Sequence, residues 1–227
     1  LNVYRISTLF KHDGCNRFHH RLLCTANPIA GGDKTLITGC ATNIIVGHTG
    51  VNTEVLLPMA MGRLRKGSCQ SEGRVGFDTF SQSSFITDEV AKRLNLKRSK
   101  PIMMTIRGFG GKPTTKSMRT AELNIGSLDG ANEVKFRALI RNGPICDTLS
   151  AVPVDLQDYD YLKGFKLADS FPRGTVELDV LIGADYYGHF VKSMTPAPNG
   201  DLPYVLETTL GDALAGPIPS DRGSRRR

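Results

Sequence analysis

The sequence predicts a small all-β fold with one or two short helices. The chain has 227 residues, of which 24 are Gly and 12 are Pro, and this composition favours many turns and short strands over long helices. Polar and apolar residues alternate through residues 133–140, as is typical of a half-buried strand. The clearest helical pattern is confined to residues 87–96. The length fits one domain or two small ones, and 40% hydrophobic residues suffice for a globular core.

A predicted hairpin precedes Asp78. Residues 53–64 have the pattern of a strand, in which Pro58 suits an edge or a bulge. A turn at 66–68 and a second strand at 74–77 follow. This second strand leads directly into Asp78, so the hairpin positions the acid.

A short helix is predicted at residues 87–96, after Asp78. Thr87 is placed to cap it, with Asp88 and Glu89 in the first turn and Lys92 and Arg93 in the last. This order of charges complements the helix dipole. We expect the helix to pack against the core and to have no chemical role.

Two further predicted strands, 101–107 and 114–125, flank a glycine-rich tip at 108–111. A tip of this kind suits a mobile flap that opens for a peptide and then donates backbone hydrogen bonds to it. An ordinary hairpin turn explains the same glycines. A phosphate-binding loop does not, because the Gly-Lys-Ser/Thr ending is absent and no helical pattern follows.

An apolar strand is predicted at 176–183, where it ends at Gly183 and a short helical turn begins. Asp185 stands at the start of that turn. We interpret Asp185 as a structural residue rather than as a second catalytic acid.

Residues 205–217 predict a trailing hairpin.

The segment 77–86 contains the main candidate chemistry. Asp78 follows an apolar residue at the end of a strand, and Thr79 and Ser81 bring hydroxyl groups that can hold a carboxylate in place. Two carboxylates that are brought close share one proton. Such a pair can deprotonate a water and protonate a leaving group. A lone acid in a turn is the simpler explanation, and the neighbouring residues decide between the two.

The segment from Asp78 to Ile86 resembles the active-site loop of retropepsin-type aspartic proteases, whose pattern is Asp-Thr/Ser-Gly-Ser/Ala. It is still more similar to the proteases of Pao/BEL-type LTR retrotransposon polyproteins, where the loop reads like Asp-Ser-Gly-Ser-Gln-x-Ser-Phe-Ile. The matching residues are Asp78, Ser81, Gln82, Ser84, Phe85 and Ile86. The glycine-rich tip and the Leu-Ile-Gly-Ala-Asp-x-Tyr-Gly sequence at 181–188 are similar to other parts of the same family.

This resemblance implies a small closed β-barrel of the retropepsin type. It also implies an aspartic endopeptidase that cleaves a retrotransposon polyprotein. One acidic loop per chain implies a homodimer, in which a water lies between two Asp78 carboxylates and neither a metal nor an organic cofactor takes part. The expected partners are a second copy and a peptide substrate. The implied site consists of catalytic Asp78, Thr79 and Ser81, the flap residues Gly108, Phe109, Gly110 and Gly111, and the supporting residues Leu181, Ile182 and Gly183.

Two residues depart from the family pattern. Phe80 stands where the family has Gly, and Asp212 stands where the segment after the protease usually has Trp. Glycine allows backbone angles and close approaches that Phe does not. The alternative is therefore a catalytically inactive binding or dimerisation module on the same fold.

The stretch 15–24 contains two thiols and two imidazoles, which are ligands that zinc prefers. Cys15, His20 and Cys24 are the candidate ligands. The segment resembles a zinc-knuckle remnant upstream of the Pao-type protease, from which the first Cys is missing. The alternative is a loop whose leucines pack on a neighbour while the His pair faces water.

Three parts are expected along the chain: a zinc-knuckle remnant and linker at 1–52, the protease domain at 53–192, and a post-protease segment with a basic tail at 193–227. The net charge is +7, and part of it lies in the Arg-rich end. This charge predicts either weak contact with nucleic acid or simply a solvated tail. A third hypothesis is accordingly a nucleic-acid-binding polyprotein fragment.

The five cysteines are odd in number and scattered, which argues against a secreted disulfide framework and indicates a reducing compartment. No apolar run approaches the roughly 18 residues that a membrane span needs. We therefore expect an intracellular location, in the cytoplasm or a virus-like particle, with no membrane partner. The chain begins with Leu1 rather than Met, which we interpret as an internal piece of a longer polyprotein or a trimmed chain.

Overall fold

The computed structural model describes residues 37–39, 53–107, 112–146, 149–151, 153–171 and 174–219. The helices are α1 (Asp88–Arg93) and α2 (Ala184–Phe190), with 3-10 turns at Leu156–Asp158 and Asp160–Leu162. The strands are β1 (Ile37–Gly39), β2 (Thr53–Leu56), β3 (Met59–Lys66), β4 (Cys69–Phe77), β5 (Phe85–Thr87), β6 (Ile102–Arg107), β7 (Thr114–Gly126), β8 (Glu133–Arg141), β9 (Leu149–Ala151), β10 (Gly174–Val176), β11 (Val180–Ile182), β12 (Val191–Thr195), β13 (Tyr204–Thr208) and β14 (Gly211–Pro219).

Six strands close into a barrel. They are hydrogen-bonded in the order β7-β3-β4-β11-β5-β8, and β8 pairs in turn with β7. The pairs β4–β11 and β5–β8 are parallel, and the other pairs in the barrel are antiparallel. The prediction of a small closed all-β barrel with one or two short helices is confirmed.

Apolar side chains that alternate along these strands fill the barrel. Leu64 on β3, Val75 on β4 and Ile125 on β7 are all fully buried. Complete burial of such a side chain contributes about 1.5–3 kcal/mol. Leu206 and Ala213 from the strands after residue 192 belong to the same cluster. The compact body therefore continues beyond residue 192.

A second sheet has the order β12-β13-β14-β2. Its strands β13 and β14 form the trailing hairpin that the sequence predicted, with Thr208 opposite Gly211 at the turn. Residues 149–151 and 174–176 form a separate two-stranded sheet of β9 and β10, and β1 pairs in parallel with β6.

The single strand predicted at 53–64 is wrong, because the chain is divided there into β2 and β3. Leu57 and Pro58 separate the two strands. Proline has no N–H to donate to a sheet, so it suits the point where the chain passes from one sheet to another. β2 pairs with β14 in the second sheet, whereas β3 pairs with β4 and β7 in the barrel.

Helix α1 begins as predicted. Thr87 is its N-cap, and the Thr87 hydroxyl accepts the amide N–H of Val90 over 3.2 Å. The acidic first turn and basic last turn are present. The helix ends at Arg93, three residues before the end of the predicted segment at 96.

Residues 166–169, which we call the clamp segment, join the barrel to the second sheet. The carbonyl of Ala168 accepts the amide of Met61 on β3, and the amide of Ala168 donates to the carbonyl of Asp212 on β14. The Asp212 carboxylate also accepts the amide of Lys166 over 2.7 Å. Asp212 thus has a structural role in this chain, although the family pattern has Trp there.

The clamp segment also supplies one half of a buried ion pair. Arg74 on β4 contacts Asp169 over 2.5 Å, and their side chains are 10% and 4% exposed. The pair connects the clamp segment to the strand that leads to Asp78.

Among the described residues, no helix is long and apolar enough to cross a membrane.

Candidate active site

The Asp78 loop begins between two parallel strands. Phe77 on β4 lies opposite Ile182 on β11, and the amide of Asp78 donates to the carbonyl of Ile182 over 2.9 Å. Ile182 points into the barrel core, while Leu181 packs in a second cluster on the opposite face, as alternation along a strand requires. The residues predicted to support the site therefore lie directly beside the strand that delivers Asp78.

The Asp78 carboxylate is turned back towards its own loop. Its Oδ1 atom accepts the amide N–H of Phe80 over 2.9 Å, in an Asx-type turn. Its Oδ2 atom is buried and has no hydrogen-bond partner among the described residues. A buried acceptor without a donor costs about 1–3 kcal/mol, and more when it is charged. Of the two carboxylate oxygens, Oδ2 is therefore the one that the described part of the chain leaves without a donor.

Buried serines hold the rest of the loop. Ser81 is completely buried. Its hydroxyl donates to the carbonyl of Ser83 over 2.7 Å, and its own carbonyl accepts the amide of Ala184 over 2.7 Å. The Ser81 hydroxyl is thus engaged within the loop rather than on the Asp78 carboxylate, and its contacts shape the loop.

Ser84 and Asp185 join the loop to helix α2. The Ser84 hydroxyl donates to Asp185 Oδ1 over 2.6 Å, and the Ser84 amide donates to Oδ2 over 3.1 Å. The same hydroxyl accepts the amide of Gly183 over 2.9 Å. Both carboxylate oxygens of Asp185 are engaged, in agreement with a structural role. Ser84 matches the family motif, but the sequence alone indicates no role for it. Its burial in the structure identifies it as a structural residue of the loop.

Gly183 allows strand β11 to approach the Asp78 loop closely. Its φ of −87° is open to other residues, so the requirement is for space. A Cβ atom at this position would lie 2.6 Å from the carbonyl oxygen of Ser83 and 2.7 Å from that of Ser81. Both are backbone atoms of the loop. Any larger residue would therefore push the loop away from the strand end.

Thr79 and Phe80 lie at the exposed end of the loop, and the Phe80 side chain is 88% exposed. Among the described non-glycine residues, only Asn95 and Phe171 have positive φ. Phe80 therefore does not occupy the left-handed backbone region that favours glycine. The physical difference from the family Gly is a large apolar surface beside Asp78.

The hairpin of β6 and β7 packs beside this loop. The strands pair from Ile102 opposite Met118 to Ile106 opposite Thr114, so the predicted hairpin is present. Met104, Ile106 and Met118 pack against a cluster that contains Phe85 and Leu181, which border the Asp78 loop. The predicted flap tip, Gly108 to Gly111, lies outside the described residues, and its role stays a prediction.

Other candidate residues also lie outside the described part of the chain. These are the zinc candidates Cys15, His20 and Cys24 and the Arg-rich end. Within the ranges that the structure describes, no group of three or more His, Cys, Asp or Glu residues is arranged to hold a metal ion. Zinc binding by the N-terminal stretch therefore stays a prediction.

Comparison with known proteins identifies a family. No curated protein matches the chain. Residues 60–214 match the family described as "Putative peptidase (DUF1758)". This range is more than half of the chain, and it includes the Asp78 loop, the β6–β7 hairpin and Gly183. The chain therefore belongs to this peptidase family.

Proposed function

We propose that the chain is an aspartic endopeptidase that cleaves a retrotransposon polyprotein as a homodimer. The observation that carries the proposal is the Asp78 carboxylate, with one oxygen held by the Phe80 amide and the other buried without a donor from the described residues. Membership of a peptidase family supports hydrolysis of peptide bonds. Each chain has one such loop, so a second subunit supplies the second carboxyl group.

In this mechanism the two Asp78 side chains face each other across the two-fold axis and hold one proton between them. The ionised carboxylate removes a proton from a water, whose oxygen attacks the peptide carbonyl carbon. The protonated carboxyl group then donates its proton to the leaving group. The bonds from Ser84 to Asp185 and from Asp78 to Ile182 keep each loop in place, which is what catalysis by positioning requires.

The substrate would lie in extended form along the β6–β7 hairpin and pair with its main chain. A polyprotein is extended and accessible at its interdomain linkers, so these are the expected cleavage sites. The proposal places the enzyme where the polyprotein is assembled, in the cytoplasm or in a virus-like particle.

The cleavage rate per subunit is expected to rise with protein concentration, because a monomer holds only one of the two carboxyl groups. The measurement is cleavage of a polyprotein fragment across a dilution series, with sedimentation velocity on the same samples. Half-maximal activity should coincide with half-maximal dimer, and a statine-type inhibitor should abolish the reaction. A rate per subunit that stays constant while the dimer dissociates would contradict the proposal.

Phe80 favours a second function, a binding or dimerisation module without catalysis. Its exposed ring stands beside Asp78, where the family has no side chain, and an apolar surface in that place can exclude a peptide or bind a second copy. This alternative predicts a dimer that does not cleave.

Phe80→Gly is expected to keep kcat/KM within about tenfold of the wild type, a change of about 1.4 kcal/mol or less. The reason is that the backbone amide, not the ring, holds Asp78. Cleavage by wild type, Phe80→Gly and Phe80→Leu is compared, the last keeping the apolar bulk. Cleavage that is absent in the wild type and Phe80→Leu but present in Phe80→Gly would establish the non-catalytic alternative.

A further inference from the structure

Cationic residues are concentrated along the sequence in and next to the β6–β7 hairpin. Residues 90–121 contain nine Lys or Arg residues and no Asp or Glu. Lys92 and Arg98 pair with Asp88, and Arg93 pairs with Asp179. Six cations form no ion pair with the described residues: Lys97, Lys100, Arg107, Lys112, Lys116 and Arg119.

One of these cations lies on the face of the hairpin that packs towards the candidate active site. Lys116 is opposite Met104, and residues opposite each other in an antiparallel pair share a face. Met104 and its neighbour on that face, Met118, pack on the cluster that contains Leu181. Lys116 itself is exposed. It is therefore a cation that has no ion-pair partner among the described residues, on the side of the hairpin that faces the strands bordering Asp78.

Clustered like charges raise the free energy of the folded chain and attract ligands of opposite charge. We propose that the β6–β7 hairpin recognises acidic peptide segments, with Lys116 contacting a carboxylate of the bound peptide. The inference rests on the proposed endopeptidase function and specifies its substrate class, a polypeptide with Asp or Glu near the scissile bond. Acidic side chains along the peptide would neutralise these six cations, for which the described part of the chain supplies no ion-pair partner.

Nucleic acid is the other polyanion that such a surface suits, but the observations favour a peptide. Proteins that bind single-stranded nucleic acid combine cations with aromatic side chains on which the bases stack. Residues 90–121 contain a single aromatic residue, Phe109, which is too few for successive bases to stack on. An acidic peptide needs no stacking platform, because its carboxylates can pair with the cations directly.

The test measures peptide binding by full-length Asp78→Asn protein, in which cleavage does not deplete the ligand. Two fluorescent peptides are identical except that Glu residues in one are Gln in the other. At about 0.05 M salt the Glu peptide is expected to bind about tenfold more tightly, and the difference should shrink at about 0.5 M, where the charges are screened. Adding Lys116→Gln should weaken Glu-peptide binding by about three- to fivefold, in line with one exposed ion pair.

The matched control is Lys192→Gln, which removes the same charge from an exposed position on β12 in the second sheet. It should leave the affinity unchanged, because the proposed contact is with Lys116. A general attraction to the basic chain would instead be lowered equally by either substitution. Equal losses in the two variants, or equal affinity for the two peptides at low salt, would overturn the inference. So would preferential binding of a single-stranded RNA of about 20 nucleotides that Lys116→Gln weakens.

A cleavage assay with the wild type separates this inference from the proposed function. If the wild type cleaves both peptides with equal kcat/KM, the charge preference is wrong and the endopeptidase stands. If the Asp78→Asn protein distinguishes the peptides through Lys116 but the wild type cleaves neither, the hairpin is an acidic-peptide surface and the endopeptidase is wrong.

Discussion

Replacing Asp78 by Asn is expected to lower kcat/KM for polypeptide cleavage by about 10⁴-fold and to leave the barrel folded. The Asn side chain keeps an oxygen that can accept the Phe80 amide, so the loop retains its turn. It can neither remove a proton from water nor give one to a leaving group. Since Asp78 Oδ2 has no partner among the described residues, the substitution breaks none of the hydrogen bonds between them. Steady-state kinetics, thermal unfolding and sedimentation on one preparation measure the activity, the stability and the dimer fraction.

Asp185→Asn is the comparison, because the sequence places a second acid there. Its carboxylate accepts both the hydroxyl and the amide of Ser84. Loss of that charge is expected to lower the free energy of unfolding by about 1–3 kcal/mol. It should lower turnover much less than Asp78→Asn does, because Asn keeps an oxygen that can accept the Ser84 hydroxyl. The opposite pattern, with cleavage lost only in Asp185→Asn, would refute the assignment of Asp78 as the catalytic acid.

Mixing the two proteins tests whether one active site needs both subunits. Equal amounts of wild type and Asp78→Asn, exchanged to equilibrium, should retain about a quarter of the wild-type activity, because only that fraction of dimers carries two acids. Half of the activity would show that each subunit acts alone.

Features whose interacting groups are close in sequence could be predicted. The turn of Asp78 joins residues two apart, and the cap of α1 joins Thr87 to Val90, three apart. The residue types therefore indicate both structures. The strand periods and the glycine after the apolar strand are equally local, which is why the hairpins and the end of β11 follow from the pattern.

Features whose partners are far apart in sequence could not be predicted. Ser84 and Asp185 are 101 residues apart, and Arg74 and Asp169 are 95 apart. The local sequence around one residue of each pair does not indicate its partner, because only tertiary folding brings the two together. The division at Pro58 was missed for a related reason. The apolar pattern continues through 53–64 without interruption, and only the pairing of β2 with β14 shows that the chain changes sheets.

Removing the buried anion of the clamp segment by Asp169→Ala is expected to lower the free energy of unfolding by about 3–5 kcal/mol. The Arg74 side chain is only 10% exposed, so the substitution leaves a cation out of water without its counter-charge. Chemical denaturation of the full chain measures the loss. Cleavage activity should fall as well, because Arg74 lies on β4, the strand that leads to Asp78. The backbone amide of Arg74 also donates to the Asp179 carboxylate.

Asp160→Ala is the matched control, since it breaks an ion pair with Lys163 whose side chains are 88% and 76% exposed. Its expected effect on stability is small, because an ion pair in water contributes little. Equal losses for the two variants would contradict the proposed burial of the Arg74–Asp169 pair. A double replacement, Arg74→Met with Asp169→Leu, should recover most of the stability, because it removes the buried charge together with its partner. Recovery of both stability and cleavage would show that the clamp segment needs packing against β4, whereas recovery of stability alone would show that the charges also position the Asp78 strand.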